Sequence, residues 1–432
     1  MNRPFSWPWV QTQVARTAEA WLDCPAQRIP DARRFTPGEQ RLREAAYDQA
    51  LRDVERESQR VRRARNRAGA PERVTASFAR FAAAALDLGD DAIALLTGDF
   101  LPVGTSLARW ARRFDPALSM GAIVQACRNA WTACGLQPLL GQPLQLTPGI
   151  LAYSLLYPYS DNSLDDETLS TAARLRFSRR FRDRLCGQTL SADDERERSV
   201  WALVGLIEDE YPRDRCPQIF DALLAIHRAQ EHSLRQMHCG PACPTEELLR
   251  ISCAKGGTSV LADACLAQPW LSDAESRFAF DWGVLLQLGD DLQDIREDAQ
   301  RGSMTLFSSA AVRGERLDAL TIRLLTFADV LGTDMDRLPH GTPMLKDLLR
   351  MSWRSLILMA VAESHQYFSP EFLREAEEQS PFRFAFLRER RTRVAGRRGV
   401  YATLFGLFLE YGAETGDLPL AAAPVELAAD VA

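Results

Sequence analysis

An all-α protein is predicted by three features of the sequence. Apolar residues recur at three- and four-residue intervals from about Glu39 to Gly412. Runs that alternate apolar and polar, as a half-buried strand would, are scarce. Breakers at Pro71, Pro138, Pro148, Pro212, Pro241, Pro269 and Pro343 divide the periodic run into helix-length pieces, and none is long enough to be an interdomain linker. With 432 residues, 46% of them hydrophobic and 25% charged, the chain can bury a full core. No repeat of fixed period is visible, which argues against a helical solenoid. The expected architecture is a single-domain helical bundle around a central apolar cavity over residues 38–415. Residues 1–37, with five prolines, read as a partly loose extension, and the Ala-rich residues 416–432 as a flexible tail.

In chain order, the start MNRPFSWPWV lacks the apolar core of a signal peptide, and no later stretch has 18 uncharged apolar residues, so a cytoplasmic protein is expected. Phe5, Trp7 and Trp9 leave room for a peripheral membrane contact. Residues 148–166, PGILAYSLLYPYSDNSLDD, begin with proline at a helix N-terminus, run apolar with interleaved aromatics, and end with Asp161 and Asp165 one turn apart. Arg174, Arg176, Arg179 and Arg180 follow as a basic run that reads mainly as a solvated face. Glu208, Asp209 and Glu210 are consecutive, which suits a helix terminus better than a metal site. His227 and His232 lie five apart, off one face, and read as core or surface histidines. His238, Cys239 and Cys243 lack the second pair that a zinc finger needs, and the nine cysteines, an odd number, read as free thiols.

Residues 273–299, DAESRFAFDWGVLLQLGDDLQDIREDA, are expected to form one long helix capped by Ser272 or Asp273. Its first half is apolar. In its second half Asp290, Asp294 and Asp298 follow at i, i+4, i+8 and share one face, with Asp291 about 100° away. Aspartate is a poor helix-interior residue and like charges four apart oppose folding, so the row invites a cation. Magnesium suits it: a hard ion that takes one or two carboxylates, several waters and substrate phosphates. The competing reading is a solvated acidic helix end paired with arginines such as Arg296 and Arg301. Two apolar helices that both end in such clusters, packed with those ends together, would make an apolar pocket with a metal-binding mouth. An allylic diphosphate needs that combination, because its carbon–oxygen bond breaks only when the leaving charge is stabilised and water is kept from the carbocation. Phe278, Phe280, Trp282, Tyr153, Tyr157 and Tyr159 are candidates to face that cation.

Net charge bounds the partners. At −6, with 52 Lys+Arg against 58 Asp+Glu, the chain lacks the uniform positive field of a nucleic-acid binder. Its only lysines are Lys255 and Lys346.

On these residues the chain resembles the class I isoprenoid synthases, the superfamily of polyprenyl synthases, squalene and phytoene synthases and terpene cyclases. GDDLQDIREDAQRG, residues 289–302, resembles the second aspartate-rich motif of squalene and phytoene synthases through Asp294, Glu297, Asp298, Arg301 and Gly302. The same stretch fits the Asp-Asp-x-x-Asp motif of polyprenyl synthases through Asp290, Asp291 and Asp294, and the metal triad of terpene cyclases through Asp290, Asp294 and Asp298. Asp161 to Asp165 resembles the Asp-x-x-x-Asp first motif of the squalene and phytoene group, and Tyr159 to Asp166 is similar to the bacterial large-terpene synthases. Lys255-Gly256-Gly257-Thr258 resembles the Lys-Thr element with which polyprenyl synthases contact phosphate. The resemblance spans about residues 75–310. The Gly-Gly-Lys-Arg element of chain-elongating synthases is not found near the N-terminus.

The resemblance implies a magnesium-dependent terpene synthase that ionises an allylic prenyl diphosphate and releases diphosphate. Asp161, Asp165, Asp290, Asp294 and Asp298 would be its catalytic metal ligands, holding three Mg2+ with substrate bound. Arg235, Lys255 and Arg301 would contact the diphosphate, Arg235 standing where a cyclase carries its diphosphate-sensing arginine. A head-to-head prenyltransferase and a noncatalytic isoprenoid-binding or modulator subunit are the alternatives, and a homodimer is compatible with either.

Overall fold

The computed structural model describes residues 4–63, 69–86, 88–164, 170–236 and 243–396, and among them every regular element is a helix. In order these are α1 Trp7–Asp23, α2 Pro37–Arg63, α3 Ala70–Leu86, α4 Asp90–Leu95, α5 Leu101–Phe114, α6 Met120–Leu139, α7 Pro148–Leu164, α8 Thr171–Leu185, α9 Glu195–Glu210 and α10 Pro217–Ser233. Then follow α11 Thr245–Ala267, α12 Asp273–Gln293, α13 Ile295–Arg301, α14 Leu306–Val312, α15 Asp318–Asp336, α16 Pro343–Glu363, α17 Pro370–Glu378 and α18 Phe384–Gly396. A π-helical turn, Leu96–Phe100, joins α4 to α5. The residues 416–432 lie outside the described set.

The helix boundaries follow local chemistry. Ser119, Ser170, Asp194, Thr342 and Ser369 each accept a backbone N–H of the first turn, and Ser272 with Glu275 forms a reciprocal capping box that starts α12. Prolines 217, 343 and 370 sit in first turns, where their missing N–H costs nothing. Gly302, at φ +71°, ends α13 in the left-handed conformation.

α11 is the axis of the molecule. Seventeen of its 23 residues are buried, on every side, as expected for a helix surrounded by others. One apolar core lies on its α12 side, built from Leu249, Cys253 and Ala264 of α11 with α1, the end of α6, and α12 to α17. A second lies on its α7 side, built from Leu261, Ala262, Cys265 and Leu266 of α11 with α5 to α10. The α2–α3 pair carries a small satellite cluster around Val54, Val74 and Phe81. All described cysteines are free thiols.

Two sequence expectations are corrected. The first concerns the N-terminal segment read as loose. Residues 7–23 form α1, whose Val10, Val14, Ala18 and Trp21 are buried in the first core. Arg16 donates to both carboxylate oxygens of Asp281, at 3.0 and 2.7 Å, and Thr17 donates to the same group at 2.5 Å. The prolines lie outside the helix or in its first turn, so they do not prevent it. The second concerns residues 273–299, which are not one helix. The chain leaves helical geometry at Asp294 (φ −98°, ψ 14°), which separates α12 from α13. Asp294 N–H still donates to Asp290 and Asp298 N–H to Asp294, at 2.8 and 2.9 Å, so the i, i+4 stepping survives the break.

Candidate functional site

α11 and α12 cross with backbones in contact. A Cβ on Gly256 would stand 2.3 Å from the Gly283 carbonyl oxygen, and one on Gly283 would stand 2.0 Å from that of Gly256. A Cβ on Gly257 would meet the Phe280 ring at 2.4 Å. Only glycine allows this approach. One turn further on, the closeness joins polar side chains. Ser252 donates to one oxygen of Asp291 at 2.6 Å and Gln287 donates to the other at 2.9 Å. Lys255, next to the crossing on α11, is half-buried beside them.

These groups form one electrostatic unit. Asp291 is 4% exposed. Burial pushes its carboxyl up to about 6, against the pull of the Ser252 and Gln287 hydrogen bonds and the Lys255 ammonium. Asp290 keeps 57% of its side chain open and faces Arg128 of α6. The surrounding low-dielectric mass raises its carboxyl, while Arg128, 3.7 Å away, and Lys255 draw it down. Asp298 is pushed up to about 7, first by burial and then by repulsion from Asp291 and Asp294, with Lys255 and a hydrogen bond to Thr305 opposing. Lys255 therefore acts on three carboxylates at once.

α7 packs against α11. A Cβ on Gly149 would touch Leu266 at 3.2 Å, and the Tyr153 hydroxyl donates to the Ser259 carbonyl at 3.2 Å, so α7 runs antiparallel to α11. Asp161 lies in the last turn of α7. Its neighbour in the motif, Asp165, lies outside the described residues. The start of α7 is held by Glu210, which accepts the Gly149 N–H at 2.5 Å.

The expected phosphate contacts divide. Lys255 is in the cluster. Arg301 is exposed at the end of α13, 3.9 Å from Glu297. Arg235 is exposed on the turn after α10; that turn abuts the segment behind α13, where Met304 N–H donates to the Gln236 carbonyl at 3.1 Å. Two arginines of the basic run on α8 are in ion pairs, Arg180 with Glu197 at 2.6 Å and Arg176 with Asp193. Glu208, the start of the acidic triplet, holds Arg184 and Arg213.

The aromatic residues are also redistributed. Phe280 packs on Gly257 and Trp282 stacks edge-on against Trp353, 5.4 Å between centroids, so both fill the first core. Phe278 is buried with them. Tyr159 donates to Asp115 at 2.6 Å. Tyr153 remains as the wall of a cavity of about 30 Å3 between α7, α8 and α10. That volume admits about one water, and not a prenyl chain.

Among the described residues no three His, Cys, Asp or Glu side chains converge so as to enclose a metal ion. The donor set does fit magnesium bound through one or two carboxylates, with water and phosphate completing the octahedron. Of the expected ligands, Asp294 stands close enough to Asp298 to repel it, and Asp290 pairs with Arg128. Ser252, Gln287 and Arg128 are the site residues not singled out from the sequence, and Asp291 was named there but not among the expected ligands. Asp291 alone had a visible signal, its place in the Asp-Asp-x-x-Asp pattern.

No family model matches the chain, and neither does any curated protein or solved structure.

Proposed function

We propose that the protein is a magnesium-dependent terpene synthase that ionises an allylic prenyl diphosphate. The reading is carried by one observation: Asp290, Asp291 and Asp298, each with a raised carboxyl, lie in the field of one cation, Lys255. Like charges held this close are unfavourable without a cation, and burial has already raised three of them. Bound magnesium would supply the charge that stabilises the departing diphosphate.

The chain's own residues would do the rest. Lys255 meets a diphosphate oxygen as a point charge. Ser252 and Gln287 fix Asp291, which in turn orients the Lys255 ammonium. Arg128 steadies Asp290. Arg235 and Arg301, exposed at the same end, are free of the core and can swing to the substrate.

Purified protein incubated with geranyl, farnesyl and geranylgeranyl diphosphates and magnesium tests the reading. Diphosphate release with a terpene of the substrate's own chain length is expected. A condensed product of twice that length would identify a head-to-head prenyltransferase instead. Binding of a prenyl diphosphate without diphosphate release would identify a noncatalytic isoprenoid-binding protein instead.

A further inference from the structure

Arg128 brings a cation to the site from α6, and its backbone and its side chain are held very differently. The next residue, Asn129, donates to the buried Asp263 of α11 at 3.0 Å and to the buried Ser154 hydroxyl of α7 at 3.2 Å, so this turn of α6 is pinned to two neighbouring helices. The Arg128 guanidinium is not pinned. It is 58% exposed, and among the described residues its ionic partner is Asp290, 3.7 Å away and itself 57% exposed. That separation is longer than a hydrogen bond, and an ion pair so open to water is weak. A planar fork of five donors thus stands on a fixed base, beside the acidic site, with no hydrogen bond to a described residue.

Asp290 lies in the field of two cations from two helices. Arg128 of α6 and Lys255 of α11 both draw its carboxyl down, Arg128 the more strongly. Once Asp290 coordinates a divalent cation, as the function proposed above requires, its charge is taken up and Arg128 faces net positive charge at the same short distance. The attraction that held the guanidinium becomes repulsion, and it turns to an anion within reach. Its fork matches two phosphate oxygens at once, whereas the Lys255 ammonium meets one as a point charge.

We propose that Arg128 is a ligand of the substrate's diphosphate, kept on Asp290 until a divalent cation claims that carboxylate. The inference rests on the function proposed above and adds to it where the diphosphate lies, bridging α6 and α11 between Arg128 and Lys255. It also couples the two ligands. Arg128 opposes a metal that arrives alone, and Asp290 opposes a diphosphate that arrives alone; together they let the two side chains exchange partners.

The test is equilibrium binding to full-length wild type, Arg128→Gln and Arg128→Lys, read by calorimetry with magnesium alone and with inorganic diphosphate at saturating magnesium. Arg128→Gln is expected to bind magnesium alone about threefold more tightly, because a competing cation is gone, and diphosphate about tenfold or more weakly, because a charge-assisted fork is gone. Arg128→Lys keeps the charge and loses the fork, so it should match wild type for magnesium and fall between the two for diphosphate. The opposite signs separate this role from a structural one, which would weaken both. Unchanged affinity for either ligand in Arg128→Gln, or both weakened alike, overturns the inference and leaves the synthase reading standing. Wild type that binds no diphosphate in the presence of magnesium overturns both.

Discussion

Lys255 stands at the point where three raised carboxylates meet, and its replacement is the most informative single change. Lys255→Met leaves those carboxylates without their common cation and removes the contact proposed for diphosphate. Diphosphate release is expected to fall by about 10²–10³-fold, the usual loss for a group that stabilises developing charge. Thermal stabilisation by magnesium plus inorganic diphosphate should vanish with it; a retained shift would show that the anion binds elsewhere. Asp263 makes a second residue-scale case. It is 1% exposed on α11, where Asn129 donates to one of its oxygens at 3.0 Å and the other has no partner. Burial holds its carboxyl well above the usual range. A raised carboxyl favours the folded state fully below its unfolded value, near 3.8, and that contribution is lost as pH rises toward the folded value. Asp263→Asn should therefore remove a slope of up to about 1.4 kcal/mol per pH unit above pH 4. Urea unfolding across pH 4 to 8 checks it: the variant should match wild type at the acid end and exceed it at the alkaline end. The acidic residues of the site were legible because carboxylates spaced by one turn are conspicuous in a single sequence. Ser252 and Gln287 were not, because a serine and a glutamine acquire a role only when another helix delivers Asp291 to them.

At the scale of the element, the crossing of α11 and α12 decides the site's geometry. Gly256→Ala places a methyl group 2.3 Å from a backbone oxygen, and the helices must separate to admit it. A loss of about 3 kcal/mol or more is expected, beyond ordinary overpacking, because backbone cannot rotate away. Gly205→Ala on α9 is the matched control: its Cβ would meet nothing within 4 Å, so helix propensity alone should act and stabilise by about 0.5–1 kcal/mol. Chemical denaturation of the pair separates the two effects, and equal behaviour would refute the close crossing. The Lys255-Gly256-Gly257-Thr258 element was visible in the sequence as a resemblance to a phosphate-contacting motif. The packing use of its glycines was not, since it depends on Gly283, 27 residues away. The break at Asp294 was hidden for a related reason. Periodicity reports which residues share a face, and the i, i+4 bonding that preserves that face continues across the break.

The whole molecule is closed by α1, which the sequence presented as a proline-rich extension. Its apolar face covers the first core, and Arg16 and Thr17 tie it to Asp281 on α12. Removal of residues 1–23 uncovers that core, and the truncated chain is expected to aggregate rather than fold. Asp281→Ala is the milder probe and should cost about 1–3 kcal/mol, the penalty for stranding a hydrogen-bonded charge. A truncated chain with wild-type melting behaviour would show α1 to be dispensable. Overall class was the most legible property, because 3.6-residue periodicity is written locally. The interior was not: whether Phe280 and Trp282 face a cavity or a neighbouring helix depends on long-range packing.

The position of α11 has a consequence for how the protein comes apart. One helix is the inner wall of two cores, so neither can melt and leave the other a surface to rest on. The two halves should therefore unfold as one cooperative unit, with a single calorimetric transition. Amide hydrogens along residues 249–266 should exchange only through that global event, more slowly than those of α2 and α3, whose satellite cluster can open alone.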